Sequence, residues 1–271
     1  MKVAAMIKPL SSVLHGGSFE TSPNSKNGEV SKAPSKPQIP QNLPISGTGT
    51  AVAIGYLRLG VAAHLPCSTG RGGARNRADR TSVALTAAQI ANLEAAECHA
   101  KAIGLPFTRM ITIHWQAAGV ALQDMVKATG RFLDLLTKAL ARHRSKTSWL
   151  WILENGERKG GHCHLLVHVP AGLVSIVTGL QKGWLYRITG NPYRARVIHS
   201  KPIGGRLGLE TGNPELHAIN LAVALGYVLK GANAEAAAKF GLVRLEPGGR
   251  IIGKRCGTSQ NIGAKARNKK D

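Results

Sequence analysis

Acidic residues are scarce in this chain. Its 271 residues include 36 Lys and Arg but only 14 Asp and Glu, which gives a formal net charge of +22. Such an excess favours a polyanionic partner, because neutralising phosphates releases condensed counterions and supplies much of nucleic-acid affinity. A ribosome-associated protein, an anionic membrane surface or an inconsequential basic tail are the alternatives. The charge predicts binding to nucleic acid.

Cysteines and long apolar runs are also few. The four cysteines form no C-x-x-C pair, which excludes a zinc ribbon and a small disulfide scaffold and indicates reduced thiols. Residues 51–65 form an apolar run that is short and contains Arg58, and the N-terminus has no convincing cleavage site for a secretory signal. We therefore expect a cytoplasmic protein without a membrane partner.

The order of patterns along the chain predicts an α+β domain. Residues 1–85 have the composition of a disordered or weakly ordered basic region, 86–255 of a folded domain and 256–271 of a basic tail. Periodicity predicts helices over 86–104, 122–143, 171–182 and 214–231, and strands over 108–115, 148–154, 162–170, 194–201, 242–246 and 250–255. Hairpins among these strands favour a mainly antiparallel sheet with helices packed on one face and the other face free for a ligand.

A histidine-bearing strand is the first chemical signal. Side chains alternate along a strand, so His162 and His164 share one face while the apolar Cys163 and its neighbours form the other. If the hairpin is symmetric about Arg158, Glu154 lies directly opposite His162. A carboxylate and two imidazoles then converge on a site suited to Mg²⁺ or Mn²⁺, and also able to take Zn²⁺. His168 lies one pair beyond, and we interpret it as structural.

A tyrosine on the last long helix is the second signal. Tyr227 and Lys230 are three residues apart and lie on the same side of the predicted helix. A tyrosine there packs its ring in most proteins. A phenol is a weak nucleophile at neutral pH, but a metal-polarised phosphate and a nearby ammonium would make it competent.

In their order, these motifs resemble the HUH endonuclease superfamily, specifically the rolling-circle replication initiators of plasmids, filamentous phages and single-stranded DNA viruses. The matching segments are RMITIHW at 109–115, HCHLL at 162–166 and YVLK at 227–230. The resemblance implies an HUH Rep, or ferredoxin-like, nuclease core. Departures are Cys163, where the family usually has a bulky aliphatic residue, and a first motif that matches only in hydrophobicity.

The resemblance also implies roles for the site residues. A metal at Glu154, His162 and His164 would bind the scissile phosphate, Tyr227 would attack it, and Lys230 would position phosphate or phenolate. The product would be a covalent phosphotyrosine, a nucleotidyltransferase step that nicks DNA and later rejoins it. No G-x-x-x-x-G-K-[ST] sequence is present, so unwinding would need a host helicase.

Basic residues outside this core are candidate DNA contacts. They lie in the Arg-rich segment 66–82, which is either a phosphate-binding arm or a solvated linker, and near the C-terminus: Arg71, Arg75, Arg77, Lys254 and Arg255.

Three other functions fit parts of the pattern. A one-tyrosine single-strand transposase shares the same motifs. A histidine-triad nucleotide hydrolase needs a third histidine at position 166, where this chain has Leu166. A non-catalytic nucleic-acid-binding module would leave the histidines as surface groups, but four each of Trp, Tyr and Phe offer little for an aromatic stacking platform.

Overall fold

The computed structural model describes residues 79–269. The strands are β1 (Thr81–Ser82), β2 (Arg109–Ile113), β3 (Trp149–Gly156), β4 (Gly160–Val167), β5 (Ile198–Pro202), β6 (Ile251–Ile252) and β7 (Cys256–Thr258). The helices are α1 (Ala87–Ala102), α2 (Met125–Arg142), α3 (Val174–Thr189), α4 (Leu209–Gly212), α5 (Pro214–Val228), α6 (Ala234–Phe240) and α7 (Ala264–Arg267). Within the described residues no helix has both the length and the apolar character needed to cross a bilayer.

The main sheet has five antiparallel strands in the order β5, β2, β4, β3, β7. The β3–β4 hairpin forms its centre, and the other edge of β4 pairs with β2, which comes earlier in the chain and is separated from the hairpin by α2. Antiparallel pairing follows from the tight turn between β3 and β4, since parallel neighbours need a long crossover. The predicted α+β class with a mainly antiparallel sheet is confirmed.

One face of the sheet packs against α2 and α3. Alternating residues of the central strands, including Ile111, Leu153 and Leu165, meet buried side chains of α2 such as Phe132 and Leu136. The apolar positions of α2 recur at three- and four-residue intervals, so they form one stripe along the helix. Removal of this surface from water is the main source of stability here.

The opposite face is also partly covered, which differs from the prediction of helices on one face only. Leu150, Ile152 and Leu166 project from that face into a second core with α1, α5 and α6. The continuous apolar run of these strands, rather than strict alternation, is the reason both faces are buried. The polar end of the same face, at His162 and His164, lines a cleft.

Capping residues place the two helices on this face. Thr86 forms a capping box with Gln89 at the start of α1, which is where the predicted helix begins. Asn213 accepts a hydrogen bond from the backbone N–H of Leu216, and Pro214 occupies the first turn of α5. Since α5 ends at Val228, three residues before the predicted end, Lys230 lies in the turn that follows the helix.

The C-terminal part of the prediction needs correction. The predicted strand over 242–246 is part of a loop that runs to residue 250, and of the predicted strand over 250–255 only β6 forms, which pairs with β1. The backbone N–H of Asn155 on β3 donates to the carbonyl of Gly248 in this loop. Gly249 (φ 64°) lies so close to Asn155 that a Cβ atom would clash with its carbonyl. Residues 256–258 form β7 of the main sheet, so the domain extends past the predicted boundary at 255. Residues 1–78 of the predicted N-terminal region lie outside the described residues. Residues 79–85 were predicted to be disordered or weakly ordered, but they include β1 and the fully buried Leu85, so the domain also begins before the predicted boundary at 86.

Candidate metal centre and active site

The β3–β4 hairpin brings Glu154, His162 and His164 together. Glu154 is paired directly with His162, as symmetry about Arg158 predicted, and His164 is two residues further along the same face of β4. Each residue is at most 4% exposed, and one ligand atom from each lies within 4.8 Å of the others. The predicted trio therefore forms a buried group that could hold a metal ion.

Hydrogen bonds orient both imidazoles. His162 donates from Nδ1 to the carbonyl of Gly160 at 2.8 Å, and Nδ1 of His164 lies 3.0 Å from the hydroxyl of Thr112 on β2. The two Nε2 atoms then face Glu154 Oε2, at 3.2 Å from His162 and 3.4 Å from His164. A carbonyl or hydroxyl partner on the far nitrogen is the usual arrangement of metal-binding histidines, because it fixes the ring and its tautomer.

The side chain of Lys230 contacts two residues of the trio, Glu154 and His164. Its ammonium donates a hydrogen bond to Glu154 Oε2 and lies 3.3 Å from His164 Nε2, so a positive charge already stands among the three ligands. Glu154 Oε1 is buried, and no described residue donates a hydrogen bond to it. A buried carboxylate oxygen without a donor is costly, and coordination of a cation would satisfy it. The donor set therefore fits a divalent metal.

The pKa shifts of Glu154 and His164 favour the protonation states that bind a cation. Burial raises the pKa of Glu154, but hydrogen bonds from His162 and His164 and the charge of Lys230 outweigh burial and hold it well below its usual range. Burial lowers the pKa of His164 to about 4, helped by the charge of Lys230 and opposed by Glu154. At neutral pH the carboxylate is ionised and His164 is neutral, which is the state that binds metal.

Tyr227 stands beside the trio. Its ring lies 5.2 Å from that of His164 in an edge-to-face arrangement, and it lines the cleft rather than the core on the far side of the sheet. Lys230 Nζ is 4.5 Å and Arg244 Cζ is 5.0 Å from the ring centre, so two cations flank the phenol. Burial, Glu154 and Glu246 raise the pKa of Tyr227, while Arg244 lowers it.

A cleft of about 440 Å³ leads to the trio. Beside the two ligand histidines and Tyr227, its lining consists of Met110, Thr112, His114, Lys159, His199 and Lys201. Our sequence reasoning missed the last four of these as site residues. The period-two pattern could have found His199 and Lys201, because both project to one face of β5, and that is the face of Thr112 and of the ligand histidines.

The predicted DNA contacts have different outcomes. Arg255 is 1% exposed and donates to backbone carbonyls of Leu153 and Gly248 and to the hydroxyl of Ser82, so it is a structural residue and the prediction was wrong. Burial lowers its pKa to about 10. Lys254 is exposed and stays a prediction. Arg71, Arg75 and Arg77 lie outside the described residues.

Two predicted structural residues behave as expected. His168 donates from Nδ1 to the carbonyl of Pro106 at 2.7 Å, beyond the end of β4. Cys163 packs in the core beneath the histidines, where burial raises the pKa of its thiol to about 12. Its place in the apolar core supports the interpretation that cysteine substitutes there for an aliphatic residue.

No known protein family, curated protein or solved structure matches the chain. The fold and the site together define an antiparallel α+β domain with a buried Glu-His-His group, flanked by a tyrosine and a lysine, at the bottom of a cleft.

Proposed function

We propose that this protein is a metal-dependent DNA-nicking enzyme of the HUH type, which cuts and rejoins a single strand through a covalent bond to Tyr227. The observation that carries the proposal is the position of Tyr227. A residue from α5, 63 positions after His164 in the chain (227 − 164), lies with its ring against His164 in the same cleft. The net charge of +22 supports a nucleic-acid substrate.

The ligands for the proposed metal are Glu154, His162 and His164. Mg²⁺ and Mn²⁺ both suit a carboxylate, but Mg²⁺ is bound through oxygen ligands and two of the three ligands here are imidazoles, so Mn²⁺ is the better fit of the two. When bound, a divalent ion would polarise the scissile phosphodiester and offset the charge that develops on its oxygens. The role of Thr112 and of the Gly160 carbonyl is to hold both rings with Nε2 facing inward.

Tyr227 is the proposed nucleophile. Its Oη attacks the phosphorus, a bond forms between them, and the bond from phosphorus to the 3′-oxygen of the preceding nucleotide breaks. The phenol proton leaves, and the 3′-oxygen gains one, so the products are a 5′-phosphotyrosine and a free 3′-hydroxyl. Because burial and nearby carboxylates raise the pKa of Tyr227, the reaction needs the flanking cations Lys230 and Arg244 to favour phenolate.

The phosphotyrosine keeps the energy of the broken bond, so the reverse attack by a 3′-hydroxyl reseals a strand. That chemistry suits initiation and termination of rolling-circle replication of a plasmid or phage, with a host helicase as partner. The same chemistry would serve a one-tyrosine transposase. The two functions differ in whether the target sequence lies in a replication origin of a plasmid or phage or at the end of a transposable DNA segment.

The proposal is tested by incubating the protein with Mn²⁺ and either supercoiled plasmid or 3′-labelled single strands, whose label stays on the fragment bonded to the protein. We expect nicked product and a protein–DNA adduct that survives denaturation, with both lost in Tyr227→Phe. Tyr186→Phe is the matched control, because Tyr186 lies on α3 and is 59% exposed. Binding of the same oligonucleotide should be unchanged in both variants.

Two results would contradict the proposal. If Tyr227→Phe nicks as fast as the parent, another group is the nucleophile. If the parent forms no adduct on any single strand yet binds DNA tightly, a non-catalytic binding module is the correct description. Mass spectrometry of the adduct locates the modified residue directly.

A further inference from the structure

The cleft carries more positive and imidazole groups than the proposed chemistry uses. The residues that line it include two lysines and four histidines and no carboxylate, since Glu154 lies buried behind the histidines. Lys159 and His199 are exposed, His114 is half-buried, and none of these three is a proposed metal ligand or nucleophile. A cleft lined by lysines and histidines without a carboxylate attracts an anion.

The histidines form a row across the sheet. The ring of His199 lies 5.7 Å from that of His114, His114 lies 5.5 Å from His162, and His162 lies 4.8 Å from His164. The row therefore runs from β5, at the edge of the sheet, to the ligand trio near its centre. Lys201 projects from β5 on the same face, two residues from His199, which is roughly 7 Å along an extended strand.

We propose that His199 and Lys201 on β5, with His114 between them and the trio, bind the backbone phosphates next to the scissile one. This inference rests on the proposed function and assigns the residues that hold its single-stranded DNA substrate on either side of the cut. Imidazole and ammonium groups at successive positions along a strand suit an extended polyanion, and the rings of His114 and His199 also offer faces on which bases stack.

The dimensions of the cleft favour a single strand over the alternatives. The ligand side chains are at most 4% exposed, so the scissile phosphate has to enter the cleft to reach them. A volume of about 440 Å³ falls within the range of small-molecule pockets and holds on the order of one nucleotide. His199 and Lys201 line this cleft at the β5 end of the row, where the phosphates that flank such a nucleotide would lie.

The test measures DNA binding by the full chain in a Tyr227→Phe background, which separates binding from cleavage. Fluorescence anisotropy of an end-labelled single strand is recorded between about 50 and 200 mM salt for Lys201→Gln and His199→Gln. Lys146→Gln is the matched control, because Lys146 is exposed and precedes the opposite end of β3. All variants keep the Arg-rich N-terminal segment.

For Lys201→Gln we expect weaker binding and a salt slope smaller by about 0.7, the value of one lost phosphate contact on a single strand. His199→Gln should weaken binding to every sequence alike, and AMP should compete poorly with the oligonucleotide in all variants. If both β5 variants bind as the Lys146→Gln control does, or if AMP competes as well as the strand, the inference is wrong.

Failure of this inference differs from failure of the proposed function. If the parent forms the Tyr227 adduct while the β5 variants bind DNA normally, only the inference is overturned. If the β5 variants bind DNA more weakly and with a smaller salt slope while the parent never forms an adduct, the role of His199 and Lys201 in binding the strand is supported and the nicking proposal is wrong. With Tyr227 intact, loss of a binding contact should raise KM for the strand and leave kcat nearly unchanged.

Discussion

Lys230 offers the sharpest test of the metal site, because its ammonium stands where a metal would compete with it. It donates to Glu154 Oε2 and lies 3.3 Å from His164 Nε2, and the lysine side chain is 3% exposed. Binding of a divalent ion at the trio has to displace this contact. We therefore expect Lys230→Met, which keeps the length and removes the charge, to bind Mn²⁺ more tightly than the parent.

The size of the effect follows from the contact that is lost. A hydrogen bond to a charged group contributes about 1.5–3 kcal/mol, which corresponds to roughly a 10- to 150-fold gain in metal affinity when the competitor is removed. The metal-free variant should also be less stable, because breaking a buried ion pair leaves Glu154 uncompensated at a cost of about 3–5 kcal/mol. Added Mn²⁺ should then raise its melting temperature more than that of the parent.

Isothermal titration calorimetry measures the affinity and thermal denaturation measures the stability. Lys146→Met is the control for loss of one positive charge, and it should bind Mn²⁺ as the parent does. If Lys230→Met binds Mn²⁺ no more tightly than the parent, the ammonium does not compete and the reasoning is refuted. If it binds more tightly but no longer nicks, Lys230 has the separate role at the phosphate or phenolate that we propose.

Three further predictions concern residues around the same site. Thr112→Val removes the hydroxyl beside His164 Nδ1, and titration should show Mn²⁺ affinity falling by about 10- to 100-fold, as for other second partners of metal-binding histidines. The nicking rate at saturating Mn²⁺ should rise with pH between about 6 and 8.5, by up to about tenfold per unit, because the raised pKa of Tyr227 keeps it protonated through this range while His164, with a pKa of about 4, stays neutral. Arg255→Met should lower the free energy of unfolding in urea by about 3 kcal/mol or more, because it leaves several buried acceptors unpaired at about 1–3 kcal/mol each. Its DNA affinity, measured on the folded protein, should not change.

Each of these has its own control. Thr112→Ser keeps a hydroxyl and should bind Mn²⁺ almost as the parent does, and equal affinities of the Val and Ser variants would contradict the role given to Thr112. If the nicking rate falls only below about pH 6.5 and is constant above it, a histidine with an ordinary pKa controls the rate. If Arg255→Met is as stable as the parent, the structural role given to Arg255 is wrong. If this variant also binds DNA more weakly, Arg255 is a DNA contact as first predicted.

The central hairpin was predictable because its register is local. The turn around Arg158 and the alternation of HCHLLV determine which residues face each other, so Glu154 and His162 could be paired before any tertiary contact was known. The start of α1 was predictable for the same reason, since Thr86 and Gln89 are three residues apart. In each case the partners are close in sequence and the strand or helix period places them.

The covering of the sheet was not predictable from local patterns. Leu150 and Leu166 project from the same face as the ligand histidines, and only the arrival of α1 and α5 shows that this face is half core and half site. Residues 250–258 were equally hard to place, because β6 and β7 pair with strands at distant positions in the chain. Arg255 has the charge of a DNA contact, and only its burial reveals a structural role.

For the metal trio, the sequence by itself determined the side chains and the face of the hairpin on which they meet, because strand alternation requires no distant partner. Only the tertiary structure decided what stands around them. The long connection from β4 to α5 brings Tyr227 and Lys230 to His164 and Glu154, and the edge strand β5 adds His199 and Lys201 to the cleft. Those contacts join residues far apart in the chain, and local periodicity contains no information about them.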